Sequence, residues 1–286
     1  MKLINISVTI LIICVVASPS ALAEETTKRT AIFNQQWLKT LVSIELLKKE
    51  SKGKPIGSGF LVGTPKNHIA LVTAKHVVYE DKGNGRLRTG LAFRLNDKEG
   101  KSFLLSDDHA TKVLKSGWLR SKTNDLACRL IVRRETTDYV TIPYSLFLPT
   151  KQIQAGAPLF IIGFPLGLRS EAYATPIVRR AIVARSDAVV IIVDGFVYPG
   201  NSGGPVIYEP SVQLGPSFRT PILQGDWLVG MVLSEISYVE PAISVHTGRP
   251  RITFEDNSGL CNVLPAELIL ELLRSKEFSN LDASVK

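Results

Sequence analysis

The sequence predicts a mainly β protein built from two strand-rich halves. Short apolar runs recur along the chain, and turn-forming Gly, Pro, Asn and Ser residues separate them. In the first half, runs over 57–63 and 69–73 flank the turn Thr64-Pro65-Lys66-Asn67, which is a β-hairpin pattern. A second strand-rich unit begins at Pro158, and the apolar pattern after Pro265 predicts a terminal helix.

The other elements follow from local patterns. Residues 31–40 suit a short helix, and apolar residues then alternate well enough for a strand over 41–47. The segment 136–154, which contains Pro143 and Pro149, is the expected connection between the halves. Further strands are predicted over 91–95, 103–105, 113–114, 126–132, 159–163, 174–177, 181–184, 189–193, 205–208, 228–233 and 259–264.

The N-terminus has the features of a secretory signal peptide. Lys2 precedes a mostly apolar run over 6–16, and Ala21-Leu22-Ala23 supplies an A-x-A cleavage site. These features predict a signal peptide over 1–23 and a mature chain that begins at Glu24. A transmembrane helix needs about 20 apolar residues, so an uncleaved anchor is the less favoured alternative. The mature protein is expected to be secreted or periplasmic, without stable membrane insertion.

Composition argues against several other classes of protein. The 286 residues are 45% hydrophobic, as in an ordinary globular protein, and the formal net charge of +8 is spread without a long basic block. Nucleic-acid binding is therefore not expected. Beyond the signal peptide only Cys128 and Cys261 remain, and their spacing leaves a single bridge open. No His, Cys and carboxylate cluster has metal-ligand spacing, so neither a metal nor an organic cofactor is predicted.

The stretch Tyr198-Pro199-Gly200-Asn201-Ser202-Gly203-Gly204-Pro205 is the strongest candidate for a catalytic loop. Ser202 lies among three glycines, which let a backbone approach a ligand closely. Acyl-transfer chemistry needs such a loop, because the hydroxyl must project and backbone N–H groups must converge where negative charge develops. The alternative is a Gly-rich turn without catalytic meaning.

His76 and Asp125 are the candidate general base and its orienting carboxylate. His76 directly follows the predicted strand 69–73, which can hold the imidazole rigidly, whereas the other three histidines lack apolar sequence on both sides. Asp125 opens the apolar strand 126–132, where its carboxylate can accept the imidazole Nδ1–H. A surface or core histidine and a strand-capping aspartate are the alternatives.

Three motifs in the order His, Asp, Ser resemble those of the chymotrypsin-like (trypsin-like) serine peptidases. They are Thr73-Ala74-Lys75-His76-Val77, Asn124-Asp125-Leu126-Ala127 and Gly200-Asn201-Ser202-Gly203-Gly204-Pro205. Gly57-Ser58-Gly59-Phe60-Leu61-Val62 and Gly163-Phe164-Pro165 resemble the bacterial envelope branch of that family, the Deg/HtrA type. The similarity extends over about 56–273.

The resemblance implies an all-β fold of two perpendicular six-stranded β-barrels with the active site between them. The barrel over 24–145 would carry the histidine and the aspartate, the barrel over 146–264 would carry the serine, and 265–286 would form a terminal helix and tail.

The resemblance also implies a secreted serine endopeptidase that cleaves protein or peptide substrates through an acyl-enzyme. The N–H groups of Gly200 and Ser202 would bind the oxyanion. A catalytically silent binding or regulatory module with the same barrels is the alternative.

Three departures from the family pattern stand out. Asn201 replaces the aspartate that pairs with a freshly cut N-terminus in typical trypsins, which argues against that activation route. Lys75 replaces a small residue beside the histidine. Few residues follow the terminal helix, so the PDZ domain usual in Deg-type proteins is not expected.

The pocket for the acyl-side residue of the substrate is predicted from the same resemblance. In this family the residue six positions before the serine forms its floor, which here is Phe196, and the opposite wall comes from Leu233 and Ser234. Phe196 predicts a preference for small or medium apolar side chains, because an unpaired ammonium buried against a phenyl ring costs several kcal/mol. Glu235 would reverse the preference if its carboxylate turned into the pocket, and Asp194 lies two positions too early.

Overall fold

The computed structural model describes residues 33–47, 53–170, 172–209 and 226–285. The predicted signal peptide over 1–23 and the predicted loop over 210–220 lie outside these residues. The prediction of a mainly β protein with a helical C-terminus is confirmed by the strands and helices described below.

The N-terminal half is an antiparallel sheet of seven strands. They are β1 (Leu41–Leu46), β2 (Lys54–Gly63), β3 (Ile69–Thr73), β4 (Leu91–Asn96), β5 (Ser102–Ser106), β6 (Leu119–Arg120) and β7 (Ala127–Ile131). Their order across the sheet is β5-β4-β1-β2-β3-β7-β6. The predicted closed barrel of six strands is corrected here to a sheet with β5 and β6 at its edges.

The C-terminal half is a closed barrel of six strands, as predicted. They are β8 (Pro158–Gly163), β9 (Ile177–Ser186), β10 (Ile191–Asp194), β11 (Pro205–Tyr208), β12 (Trp227–Ile243) and β13 (Pro250–Pro265). The barrel closes in the order β10-β13-β12-β11-β8-β9. The strands predicted over 228–233 and 259–264 are parts of the much longer hairpin β12–β13, and the predicted strand over 181–184 lies inside β9.

Short helical segments fill the connections. Within the described ranges the α-helices are α1 (Lys75–Val78), α2 (Asp107–Leu114), α3 (Ala266–Arg274) and α4 (Lys276–Ser284). The 3-10 turns there are Gln35–Thr40, Asp81–Gly83, Tyr144–Leu146, Thr150–Gln152 and Pro165–Gly167. The strand predicted over 113–114 is wrong, since these residues end α2. Ser106 caps that helix at its N-terminus. The negative charges of Asp107 and Asp108 in the first turn interact favourably with the positive end of the helix dipole.

The predicted terminal helix is two helices that meet at Ser275. Ser275 Oγ accepts the N–H of Phe278 at 3.1 Å and caps α4. The buried Asp282 of α4 accepts from Thr64 Oγ at 2.8 Å and lies 2.8 Å from His68 Nδ1. The end of the chain is therefore fastened to the turn between β2 and β3. None of the helices within the described ranges is long and apolar enough to span a bilayer.

Of the three cysteines in the sequence, the two that the structure describes lie one in each half. Cys128 belongs to β7 and Cys261 to β13, and each is buried and free. The bridge that the sequence left open is not formed in this structure.

Candidate active site

Two strand ends of the N-terminal sheet bring the predicted histidine and aspartate together. His76 lies in α1 just after β3, and Asp125 lies just before β7. These strands pair antiparallel with Thr73 opposite Ala127, so the end of one meets the start of the other. His76 Nδ1 lies 2.6 Å from Asp125 Oδ2, and the His76 backbone N–H donates to Asp125 Oδ1 at 2.9 Å. One carboxylate therefore holds both the ring and the backbone of the histidine.

The surroundings of Asp125 keep its carboxylate ionised. Burial alone would raise the pKa of Asp125, but hydrogen bonds from the His76 side chain and backbone and electrostatic interactions with His76 and Lys75 outweigh that effect, so the pKa lies below its usual value. Lys75 Nζ donates to the carbonyl of Ser121 at 3.3 Å, so this lysine acts on Asp125 by its charge and not by contact. An ionised Asp125 accepts the Nδ1 proton and leaves Nε2 of His76 free to accept another.

Ser202 lies just before β11, and its side chain lines the same cleft as His76. The Ser202 hydroxyl donates to the carbonyl of Leu233 on β12 at 3.0 Å. Within the described ranges it makes no hydrogen bond to His76. The structure thus joins His76 to Asp125 and places Ser202 beside them, with its hydroxyl turned to β12.

Two N–H groups of the serine loop are free for a ligand. Leu166 N–H donates to the carbonyl of Pro199 at 2.7 Å. Because the peptide bond is planar and trans, the N–H of Gly200 points away from that carbonyl. Neither this N–H nor that of Ser202 has a partner among the described residues. Gly200 has φ +104°, and a side chain there would collide with the carbonyl of Phe164, so both the conformation and the space require glycine.

Ser58 fastens the serine loop to β2, a role that the sequence did not reveal. Its fully buried hydroxyl donates to the carbonyl of Gly200 at 2.7 Å and accepts the N–H of Phe164 at 3.0 Å. Its backbone N–H donates to the carbonyl of Ser202 at 2.9 Å. A serine between two glycines inside an apolar strand was the available signal, because a buried hydroxyl needs partners.

Asn201 stabilises the loop from within. Only 1% of its surface is exposed, and its Oδ1 accepts the N–H of Tyr198 at 3.1 Å. Its Nδ2 has no hydrogen-bond partner among the residues that the structure describes. Asn201, which stands where typical trypsins have an aspartate, therefore orders the loop through a hydrogen bond without a charged partner.

A buried ion pair anchors the segment that carries Leu166. Glu45 of β1 is fully buried and accepts two hydrogen bonds from Arg94, at 2.7 and 3.0 Å. It accepts two more from Arg169, at 3.0 and 3.3 Å. Arg169 follows Leu166 closely in the chain, so the N-terminal sheet holds the segment that in turn holds the Pro199–Gly200 peptide.

The cleft beside Ser202 has a volume of about 320 Å³. Leu233 and Ser234 line it, at the positions predicted for the substrate pocket. Its full lining is Ile56, His76, Val197, Tyr198, Pro199, Gly200, Ser202, Val232, Leu233, Ser234 and Glu235. A larger surface cleft of about 460 Å³, between Phe147–Pro149 and α3, contains no nucleophile.

Phe196 does not line this cleft, which corrects its predicted place as the pocket floor. Its side chain is 47% exposed and lies against Gly259 of β13. The next residue, Val197, is buried instead, and Asn257 Nδ2 donates to its carbonyl at 2.7 Å. Glu235 lines the cleft, whereas Asp194 is an exposed residue outside it.

Among the residues that the structure describes, no three His, Cys, Asp or Glu side chains are grouped as metal ligands.

Comparisons with known proteins place these features in context. A family model described as the trypsin-like peptidase domain matches residues 57–211, which is more than half of the chain and includes His76, Asp125 and Ser202. No curated protein matches the chain.

Solved structures are similar at low sequence identity. Human heparin binding protein matches with a TM-score of 0.51 and 12% identity, over 84% of this chain and 92% of that chain. An atomic-resolution structure of HBP gives a TM-score of 0.51 and 13% identity over the same shares. The HtrA-type protease AlgW with a tripeptide gives a TM-score of 0.46 and 17% identity over 84% of this chain, which spans 60% of that protease.

Proposed function

Because the chain belongs to the trypsin-like peptidase domain family, we propose that it is a serine endopeptidase acting on proteins or peptides. The observation that supports this most directly is the 2.6 Å contact between Asp125 Oδ2 and His76 Nδ1 beside the cleft that Ser202 lines. This arrangement supplies a fixed base next to a hydroxyl, as nucleophilic catalysis requires.

The first chemical step moves a proton from Ser202 to His76. A substrate N–H that donates to the carbonyl of Leu233 competes with the serine hydroxyl for that acceptor. Rotation about the Cα–Cβ bond of Ser202 then turns the hydroxyl toward Nε2 of His76. As Ser202 Oγ attacks the scissile carbonyl, His76 takes the proton and Asp125 stabilises the resulting imidazolium.

The N–H groups of Gly200 and Ser202 bind the oxygen that becomes negatively charged. Each such donor contributes on the order of 3 kcal/mol to the transition state. Leu166 and Ser58 hold this peptide before any substrate arrives, so little reorganisation accompanies the reaction. His76 next protonates the leaving amine, and water hydrolyses the acyl-enzyme by the reverse steps.

The test is covalent labelling of the mature protein with a fluorophosphonate, followed by peptide mapping. We expect the label on Ser202, no label in the Ser202→Ala variant, and hydrolysis of peptides that the same variant cannot cleave. A folded protein that neither reacts nor hydrolyses would overturn the proposal.

That outcome would favour a catalytically silent binding module with the same fold. The observation on its side is the hydrogen bond from Ser202 Oγ to Leu233 instead of His76.

We further propose that the enzyme acts outside the cytoplasm after cleavage before Glu24. Lys2, the apolar run over 6–16 and Ala21-Leu22-Ala23 support this site of action. N-terminal sequencing of the protein from an envelope or culture fraction tests it. Intact Met1 on a cytoplasmic species would contradict it.

A further inference from the structure

Glu235 carries a carboxylate into the cleft beside Ser202. It lies on β12 and lines that cleft. In the β12–β13 hairpin it is opposite Cys261, which is fully buried. Residues paired across two strands project from the same face of the sheet. Glu235 therefore points into the molecule, whereas the preceding Ser234 is exposed.

A hydrogen bond from Asn257 fixes the position of the Glu235 carboxylate. Asn257 Nδ2 donates to Glu235 Oε2 at 3.0 Å and to the carbonyl of Val197 at 2.7 Å. Val197 also lines the cleft. Asn257 therefore holds the Glu235 carboxylate close to the backbone of Val197, the residue that precedes the serine loop.

The charge of Glu235 is not neutralised within the protein. Its Oε1 accepts no hydrogen bond, and no Lys, Arg or His among the described residues forms an ion pair with it. The guanidinium of Arg179 lies over the ring of Tyr198, 5.5 Å from its centroid, but Arg179 neither lines the cleft nor forms an ion pair with Glu235. A partly buried carboxylate without a cation is costly, and a cation brought by a ligand recovers that cost.

The rest of the cleft suits the stem of a long basic side chain. Apolar surface comes from two segments of the chain that line the cleft, residues 197–199 and the β12 residues Val232 and Leu233. Lys and Arg bury their methylene stems on such surface and keep the charged end at a polar partner.

We propose that Glu235 makes the enzyme selective for Lys or Arg on the acyl side of the cut bond. This inference rests on the proposed peptidase activity and replaces the apolar preference predicted from Phe196, because that residue lies outside the cleft. The guanidinium or ammonium pairs with the carboxylate that Asn257 holds in place.

Matched peptides test this selectivity. We compare kcat/KM for Arg against citrulline and for Lys against norleucine at the acyl-side position, since each pair differs mainly in charge. A charge pair of this exposure predicts a preference of about 10- to 100-fold for the basic member in the wild type. In Glu235→Gln the ratio should fall to near one, and in Glu235→Lys it should fall below one, because the basic side chain then meets a like charge.

Glu240→Gln is the matched control, because Glu240 is an exposed carboxylate farther along β12 and outside the cleft. It should keep the wild-type ratio. Fluorophosphonate labelling of every variant separates the two proposals. Retained labelling with equal rates for Arg and citrulline overturns the role of Glu235 alone, whereas absent labelling of the wild type overturns the peptidase itself. An unchanged ratio in Glu235→Gln also overturns the role of Glu235.

Discussion

The two halves of the molecule bury different kinds of side chain. The core of the C-terminal barrel is aliphatic apart from Tyr208 and Cys261. The N-terminal sheet instead buries Glu45, Asp107 and Arg129. Arg129 is fully buried, forms an ion pair with Asp107 and donates to the carbonyl of Leu130 at 3.0 Å.

The difference shows how each half positions its part of the active site. An apolar core tolerates many combinations of hydrophobic side chains with a similar total volume, whereas a buried charge requires one particular partner. The barrel holds Ser202 through backbone hydrogen bonds, such as Gly203 N–H to the carbonyl of Val232 at 2.8 Å. The N-terminal sheet uses the specific pair of Glu45 and Arg169 to hold a segment of the other half.

The largest effect expected is that of Ser202→Ala, which tests the contribution of the barrel. Loss of a nucleophilic serine lowers kcat by about 10⁶. The fold should be unchanged, because to the part of the chain that the structure describes the hydroxyl makes a single hydrogen bond, to the carbonyl of Leu233. Steady-state kinetics and thermal unfolding check both parts. Ser279→Ala, an exposed serine on α4, is the control, and substantial activity in Ser202→Ala would contradict the assignment.

Asp107→Ala tests the buried charges of the N-terminal sheet. It leaves the guanidinium of Arg129 without its ion-pair partner, so we expect a loss of about 3–5 kcal/mol in the free energy of unfolding. Asp108→Ala is a close control, because Asp108 lies in the same first turn of α2 but is exposed. Ile191→Val in the barrel core should cost about 0.5–1.5 kcal/mol. Equal losses for Asp107→Ala and Ile191→Val in urea denaturation would remove the contrast between the halves.

Ser58→Ala tests the link between the halves at the oxyanion site. It leaves the carbonyl of Gly200 and the N–H of Phe164 without their partner, so the Gly200 peptide can reorient. An interaction made only in the transition state affects kcat and not KM, and we expect kcat to fall about 10- to 100-fold. A rise in KM at constant kcat would argue against this role.

Arg169→Met should lower kcat less than Ser58→Ala does, and it should also act by loosening the hold on the Pro199–Gly200 peptide. The buried carboxylate of Glu45 keeps Arg94 but loses two hydrogen bonds, so the segment of Leu166 is held less firmly. A several-fold lower kcat, at nearly constant KM, is expected, with Arg169→Lys recovering part of it. If Arg169→Met reduced only stability, the residue would have no part in positioning the loop.

The smallest effect is expected for the reactivity of the buried thiols of Cys128 and Cys261. Because each thiol lies inside one half, its reaction rate measures how often that half opens to solvent. Burial raises the pKa of Cys128 and of Cys261 to about 12. At pH 8, well below that value, about 10⁻⁴ of each thiol is ionised in the folded state, and the thiolate is the reactive form. The chain from Glu24 onward should therefore resist a disulfide-exchange reagent until it is denatured. Rapid reaction of one thiol in the folded protein would show that its half opens readily.

Much of the candidate site could be predicted from the sequence because its chemistry needs particular residues at strand ends. His76 after β3 and Asp125 before β7 follow from the apolar runs beside them, and their contact follows from strand pairing. Ser202 was visible from its glycines, whose backbone conformations few other residues adopt.

The walls of the cleft could not be predicted, because they depend on a break in strand register. The pairing of β12 with β13 shifts between Val232 and Ser234, so Leu233 is an extra residue. Such a bulge exchanges the faces of the side chains that follow. Glu235 consequently points inward, and no local pattern in the sequence marks the shift. The position six residues before Ser202 did not identify the pocket floor either. The backbone at Val197, next to Phe196, is held by Asn257, which lies 60 residues away in the sequence.

Asp282 ties the last helix of the chain to the turn between β2 and β3, and this sets an order of events during synthesis. His68 and Asp282 are 214 residues apart, so at a translation rate of about 5–20 residues per second one emerges roughly 10 to 40 s before the other. During that interval the turn lacks its partner. Strands β1 to β7, which flank His76 and Asp125, all precede residue 132. They can therefore pair with one another first, and the contact between the turn and α4 forms later.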